Sequence, residues 1–184
     1  IGASRTLSLF SVQIADAEQK DLTGHLKDVP SWIAEALQAN QQVVVLATGD
    51  PLCHGIASYL YKKLPAEQLH IIPNISSIQL AFANIGLSWQ DAKIASVHSK
   101  DAGEWTKAAG PEHGFYPLLQ ALFNHDKVAI LTGPENTPDR IARMMLIENI
   151  AGQFEISVAE NLLSADEKVL HGESVEFIAE QSFN

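Results

Sequence analysis

The chain has a single cysteine, Cys53, and no apolar run longer than a strand. One cysteine cannot close an internal disulfide, and no Cys/His spacing matches a zinc site, so a reducing cytoplasmic setting without a metal centre is expected. The clearest apolar run, Val43 to Ala47, falls far short of the roughly 18 residues needed to cross a bilayer, so no transmembrane span is expected. Basic residues are scarce too: 12 Lys and Arg stand against 22 Asp and Glu, a net charge of -10. Nucleic acid is held by clustered cations and is excluded as the main partner, although a local basic patch could still take an anionic small molecule. No G-x-G-x-x-G follows a strand, and Gly49 to Gly55 lacks the Lys-Ser/Thr of a phosphate loop, which removes the main support for dinucleotide or NTP binding. The sequence opens at Ile1 with neither a methionine nor a signal-peptide layout, which reads as a truncated start, not an exported one.

What is present is an alternation of helical and strand-like segments. The 184 residues, 46% of them hydrophobic, suffice for one large or two small domains. Trp32, Ile33, Ala36 and Leu37 recur at helical spacing between Val29 and Ala39, and Val43 to Ala47 then reads as a fully buried strand. A second helix, from about Gly55 to Leu64, carries Ile56, Leu60 and Leu64 on one stripe and feeds a strand at His70 to Ile72. Ser76 or Ser77 can cap the next helix, with Ile78, Ala81, Phe82 and Ile85 at i, i+3, i+4 and i+7 before Gly86.

A strand at Ala92 to Val97 precedes Ser99 to Gly114, a polar, glycine-containing stretch without apolar periodicity that reads as a mobile loop. The domain boundary is placed near Asp91, giving domains at 1–91 and 92–184. Beyond it the pattern predicts a helix at Leu118 to Phe123 and a strand at Lys127 to Leu131. A further helix starts at Thr137-Pro138, with Ile141, Met144, Met145 and Ile147 as its apolar side. Asp139, Arg140 and Arg143 read as its solvated face. Strands near Glu155 to Ala159 and Glu167 to Leu170 are close enough to pair antiparallel.

Two strand-end loops carry the chemistry. Thr48-Gly49-Asp50-Pro51 can be a plain strand-terminating turn, or a site where glycine admits a ligand and Asp50 offers it acceptors. Pro73-Asn74-Ile75-Ser76-Ser77 can be a plain helix cap, yet polar ends in successive βα units face the same crevice. Cys53 reads as a small lining residue, not a nucleophile, since no base partner is evident. Among the seven histidines, His98 at a strand end stands out, and His54 follows the first loop.

With both loops in view, the chain resembles the tetrapyrrole methylase family, and within it the branch that methylates ring carbon C5 of a precorrin or cobalt-precorrin in cobalamin synthesis. The resemblance is carried by Leu46 to Pro51 for a Gly-Asp-Pro loop, Ile72 to Ala83 for a Pro-Gly-Val-Ser-Ser helix start, Leu87 to Ala92, Ser96-Val97-His98-Ser99, Leu131 to Pro138, and Val158 to Leu162. It extends through nearly the whole chain.

The resemblance implies a two-domain α/β fold, with an N-terminal parallel Rossmann-like sheet and a C-terminal mixed sheet, apparently without the family's first and last strands. It implies S-adenosyl-L-methionine as cofactor, bound largely by main-chain groups and contacted at Thr48, Gly49, Asp50, Cys53, Ser76, Ser77, His98 and Leu162. It implies no metal and names no catalytic side chain: an electron-rich ring carbon displaces the sulfonium methyl, so alignment and desolvation suffice. The implied partners are the corrinoid substrate, a separate protein for C15 methylation and decarboxylation, and a second copy in a homodimer. Arg5, Lys62, Lys63, Lys93 and Lys100 are candidates to meet the substrate carboxylates. Asn74 stands where the family has glycine, Lys100 replaces an arginine, and Asp101 to Phe115 looks like an insertion. The alternatives are another tetrapyrrole methylase and a non-catalytic binding module on the same fold.

Overall fold

A computed structural model describes residues 1–183, and its contacts divide the chain into two compact units, one ending at Ser76 and one beginning at Ser77. The first holds α1 (Ser4–Leu9), α2 (Val29–Gln38) and α3 (Ile56–Leu60). Pro30 sits in the first turn of α2, where its missing N–H costs nothing, and the helix buries Val29 and Ile33 against Leu60. Asp21 ties the start of the unit together: it accepts from Ser4 Oγ at 2.6 Å and from the Thr23 N–H at 2.8 Å, beside a bridge between Gly2 and Asp21. Those bonds, that from Ser4 foremost, hold its carboxyl down at about 2.

Three expectations for this unit need correction. Val43 to Ala47 is no buried strand: Val44 is 65% exposed, and the segment's ladder-like bonds are Ile1 N to Val44 O and Leu46 N to Ile1 O. Apolar side chains make a strand only where neighbouring backbone completes the ladder, and here one residue does so. His70 to Ile72 is likewise irregular, with Ile72 exposed. The helix after Gly55 stops at Leu60, because i→i−3 bonds at Lys62 and Lys63 tighten the chain ahead of Pro65, whose ring disfavours helix before it.

The second unit follows the sequence pattern closely. It contains α4 (Ser77–Ile85), β1 (Lys93–Ser96), α5 (Tyr116–Asn124), β2 (Val128–Leu131), α6 (Pro138–Ile147), β3 (Glu155–Glu160), β4 (Lys168–Ser174) and α7 (Val175–Ala179). β1 and β2 run parallel, Lys93 opposite Val128 through Ser96 opposite Leu131. β3 and β4 are antiparallel, with an extra residue on β4 where Gly172, at φ +68°, donates to Ser157 Oγ. α4 ends at Gly86, which takes φ +68° as a helix-terminating glycine does. Thr137 stands at the N-cap of α6 in extended conformation, although its side chain makes no capping bond.

The core of this unit joins α5, α6 and α7 to the sheet strands, with Phe115, Met144, Met145, Val175 and Ile178 at most 2% exposed. Ser99 to Gly114 is irregular as expected but is not a loose loop: its Trp105, and Phe115 just after it, are buried in this core. Arg140 and Asp139 are not a solvated face either, with side chains only 13% and 14% exposed. Among the described residues no helix is long and apolar enough to cross a membrane.

Candidate functional site

In the first unit Thr48, Gly49, Asp50 and Cys53 form one folded-back loop. Gly49 adopts φ +62°, Asp50 Oδ1 accepts from the Leu52 N–H at 2.8 Å, and the Asp50 carbonyl accepts from Cys53 at 3.1 Å. The loop docks on itself so closely that a Cβ on Gly55 would lie 2.6 Å from the Pro51 carbonyl oxygen, which makes Gly55 obligatory. The main-chain N–H and C=O groups of Thr48 and Gly49 have no partner among the described residues. Cys53 is half-buried with a free thiol.

The second loop ends this unit. Asn74 Oδ1 accepts from the Ile75 N–H at 2.8 Å, and Asn74 is not among the asparagines with positive φ, which are Asn40, Asn149 and Asn161. Its side chain therefore supports the turn without a left-handed backbone. Ser76 is buried and precedes α4, whose first residue is the exposed Ser77.

In the second unit His98 lies two residues beyond the end of β1 and is exposed. Its Nδ1 lies 2.9 Å from the Thr132 carbonyl, which can only accept, so Nδ1 carries the proton and Nε2 is left as the ring's acceptor in the neutral form. Gly133 leaves room for this approach: a Cβ there would stand 3.1 Å from His98 Nδ1, so the ring would have to shift by a few tenths of an ångström. Leu162 sits half-buried in the β3–β4 connection, between Asn161 at φ +50° and Leu163 at φ +65°. A leucine in that region costs roughly 1–2 kcal/mol, and Glu167 Oε2 holds it by accepting from the Leu163 N–H at 2.6 Å. His98 and Leu162 thus belong to separate turns of the second unit, as Thr48 to Cys53 belong to one turn of the first.

A further group of residues lies behind His98. Asn136 is fully buried, and its amide donates to the carbonyls of Val97 at 2.8 Å, Lys100 at 3.1 Å and Ser99 at 3.3 Å while accepting from the Ala102 N–H at 3.0 Å. Arg140 donates to Asp101 Oδ1 at 2.8 Å and to the Glu135 carbonyl, and its Nε lies 3.1 Å from Glu104 Oε1 without alignment for a hydrogen bond. Arg143 bonds Glu104 and Asp139, which raises its pKa, Glu104 contributing most. The Gly103 N–H, followed by Arg140, holds the Asp101 carboxyl below its usual range. Trp105 Nε1 donates to Glu148 at 2.7 Å. Sequence reading placed Asn136 in a motif without a role and read Arg140 as surface; Val97 and Ala102, which bond Asn136, and Asp101, which bonds Arg140, lie some 34 to 39 residues away, beyond any local pattern.

Arg5, Lys62, Lys63, Lys93 and Lys100 are all exposed, and none enters an ion pair among the described residues. No cluster of three or more metal-ligating side chains occurs among those residues.

The described residues form an α/β chain whose candidate turns carry Gly49, Ser76 and Ser77. The chain belongs to the tetrapyrrole (corrin/porphyrin) methylase family, whose model matches residues 2–177. It is 32% identical over 168 residues to the cobalt-precorrin-7 C(5)-methyltransferase of Salmonella typhimurium, covering 91% of this chain and 74% of that protein. A Methanocaldococcus jannaschii protein named "Probable cobalt-precorrin-7 C(5)-methyltransferase" is 31% identical over 175 residues, 92% of this chain and 74% of the relative. The decarboxylating precorrin-6Y C(5,15)-methyltransferase of Mycobacterium tuberculosis is 27% identical over 118 residues, which span 64% of this chain and 26% of that longer protein.

Proposed function

We propose that this chain transfers a methyl group from S-adenosyl-L-methionine to ring carbon C5 of a precorrin or cobalt-precorrin. The observation that carries the reading is the likeness, over nine-tenths of the chain, to relatives named for that reaction. The main-chain groups of Thr48 and Gly49 that are unspent among the described residues fit a donor held by backbone, and the Asp50 carboxylate, whose Oδ2 has no partner among those residues, fits its hydroxyl and ammonium groups. S-adenosylmethionine supplies an already activated methyl on a sulfonium.

The residues of the chain then have three tasks. The Thr48–Cys53 loop and the Ser76–Ser77 helix start bind the donor, His98 Nε2 and Leu162 complete its contacts, and unpaired cations such as Lys93 and Lys100 meet the substrate carboxylates. Positioning of this kind can lower a barrier by several kcal/mol without a side-chain base. In this reading the first domain extends to about Asp91 and the second begins at residue 92.

C15 methylation and decarboxylation are assigned to a separate protein. The relative named for both C5 and C15 methylation matches over about a quarter of its length, which supports a division of labour. A homodimer is the proposed assembly, to be checked by sedimentation.

The deciding experiment is calorimetric titration with S-adenosylhomocysteine, followed by methylation of cobalt-precorrin-7 read by mass spectrometry. A 14-Da gain located at C5 is expected. Absence of donor binding defeats the reading, and methylation of precorrin-2 instead would reassign the substrate.

A further inference from the structure

We propose that Asn136 is a positioning residue that holds the His98–Lys100 turn in the form that meets the methyl donor; this rests on the donor-binding reading of His98 given above. The turn has no regular structure of its own, so its carbonyls need partners from elsewhere. Asn136 supplies them: a fully buried amide spends its two hydrogens on Val97, Ser99 and Lys100, on both sides of His98, and its oxygen on Ala102.

The His98 ring is gripped separately by the Thr132 carbonyl. Both grips come from one turn, Thr132 to Asn136, which closes on itself through Gly133 N–H to the Asn136 carbonyl at 3.4 Å. Backbone and ring are therefore fixed from the same origin, and Nε2 is presented as an acceptor for a hydroxyl or amino N–H of the donor. Asn136 is a side chain whose polar atoms are all spent on one loop, which is an arrangement for shape rather than for contact with substrate.

The test compares wild type, Asn136→Ala, Gly133→Ala and Met144→Ala, each shown to be folded by circular dichroism at the working temperature. Calorimetry reads the S-adenosylhomocysteine Kd, and nitrogen-15 NMR reads the His98 tautomer in ligand-free protein. Asn136→Ala should weaken binding at least tenfold and average the two tautomers. Met144→Ala, a core truncation in α6, should lose stability while its Kd stays within twofold.

Wild-type affinity and a preserved Nδ1–H tautomer in Asn136→Ala would overturn the proposal, as would an equal loss of affinity in Met144→Ala. If Asn136→Ala does not fold, Gly133→Ala decides: its Cβ should push His98 from Thr132 and weaken binding about fivefold, and unchanged binding overturns the idea. A wild type that binds no S-adenosylhomocysteine defeats the donor reading itself, whereas the tautomer measurement still judges the positioning.

Discussion

The two units spend their backbone polar groups differently. In the first, the Val43–Ala47 run bonds, among the described residues, to Ile1 alone, and the Thr48–Gly49 turn has main-chain groups without a partner among them. In the second, three turns have a distant or side-chain hold: Asn136 bonds the backbone at 97, 99, 100 and 102, the Thr132 carbonyl bonds His98, and Glu167 accepts from Leu163. An apolar sequence sets which side chains avoid water, whereas ladders and buried amides decide which backbone becomes rigid. The first unit is therefore where a ligand has the most hydrogen bonding to add.

The largest test of this contrast lies in the second core. Phe115→Ala removes a side chain with no exposed surface and should cost roughly 3–5 kcal/mol in denaturant unfolding; a loss below about 1 kcal/mol would mean that the 101–115 segment is not part of that core. Next comes Gly55→Ala, which forces a Cβ to within 2.6 Å of Pro51 O and should cost about 1–3 kcal/mol. Donor affinity should fall with it, and a variant as stable and as tight-binding as wild type would show that the first loop tolerates reshaping.

A pH titration separates the units at their acidic groups. The Asp21 carboxyl is held at about 2 in the folded protein, and its ordinary value is 3.8; Asp91, beside Lys127, and Asp101 are also lowered. Depressed folded values mean that the unfolded chain takes up protons first, so their stabilisation is complete above about pH 4 and lost on acidification. For Asp21 that loss runs down to about pH 2, and Asp21→Asn should flatten this part of the stability profile. An unchanged profile would mean that the Ser4–Asp21–Thr23 bonds contribute nothing. The smallest effect belongs to Val44→Thr, which alters a largely exposed position and should stay within about 0.5 kcal/mol; a cost of 2 kcal/mol would restore Val43–Ala47 as a buried strand.

How far the sequence could be read follows the same division. α2, α4, α5 and α6 were legible because their apolar residues recur at the helical period, and β1, β2 and the β3–β4 hairpin because their runs pair with one another. Val43–Ala47 misled because apolar content reports burial only when partners exist. Asn136 and Arg140 were illegible because polar residues default to the surface, and only distant partners bring them inside. The family resemblance named candidate site residues, but the hydrogen bonds that shape the turns around them could not be deduced from those motifs.

Trp105 gives the chain a built-in optical gauge. Of the three tryptophans, Trp105 is 4% exposed, with its ring edge-on to His113 at 4.9 Å and its indole N–H on Glu148, whereas Trp89 is 46% exposed. An indole in that setting emits at short wavelength, and release of the 101–115 segment from α6 would move it into water and shift the emission to the red. A second chromophore change would not be needed: in a protein with Trp32 and Trp89 replaced by Phe, the colour of one residue would report whether the segment behind His98 is docked.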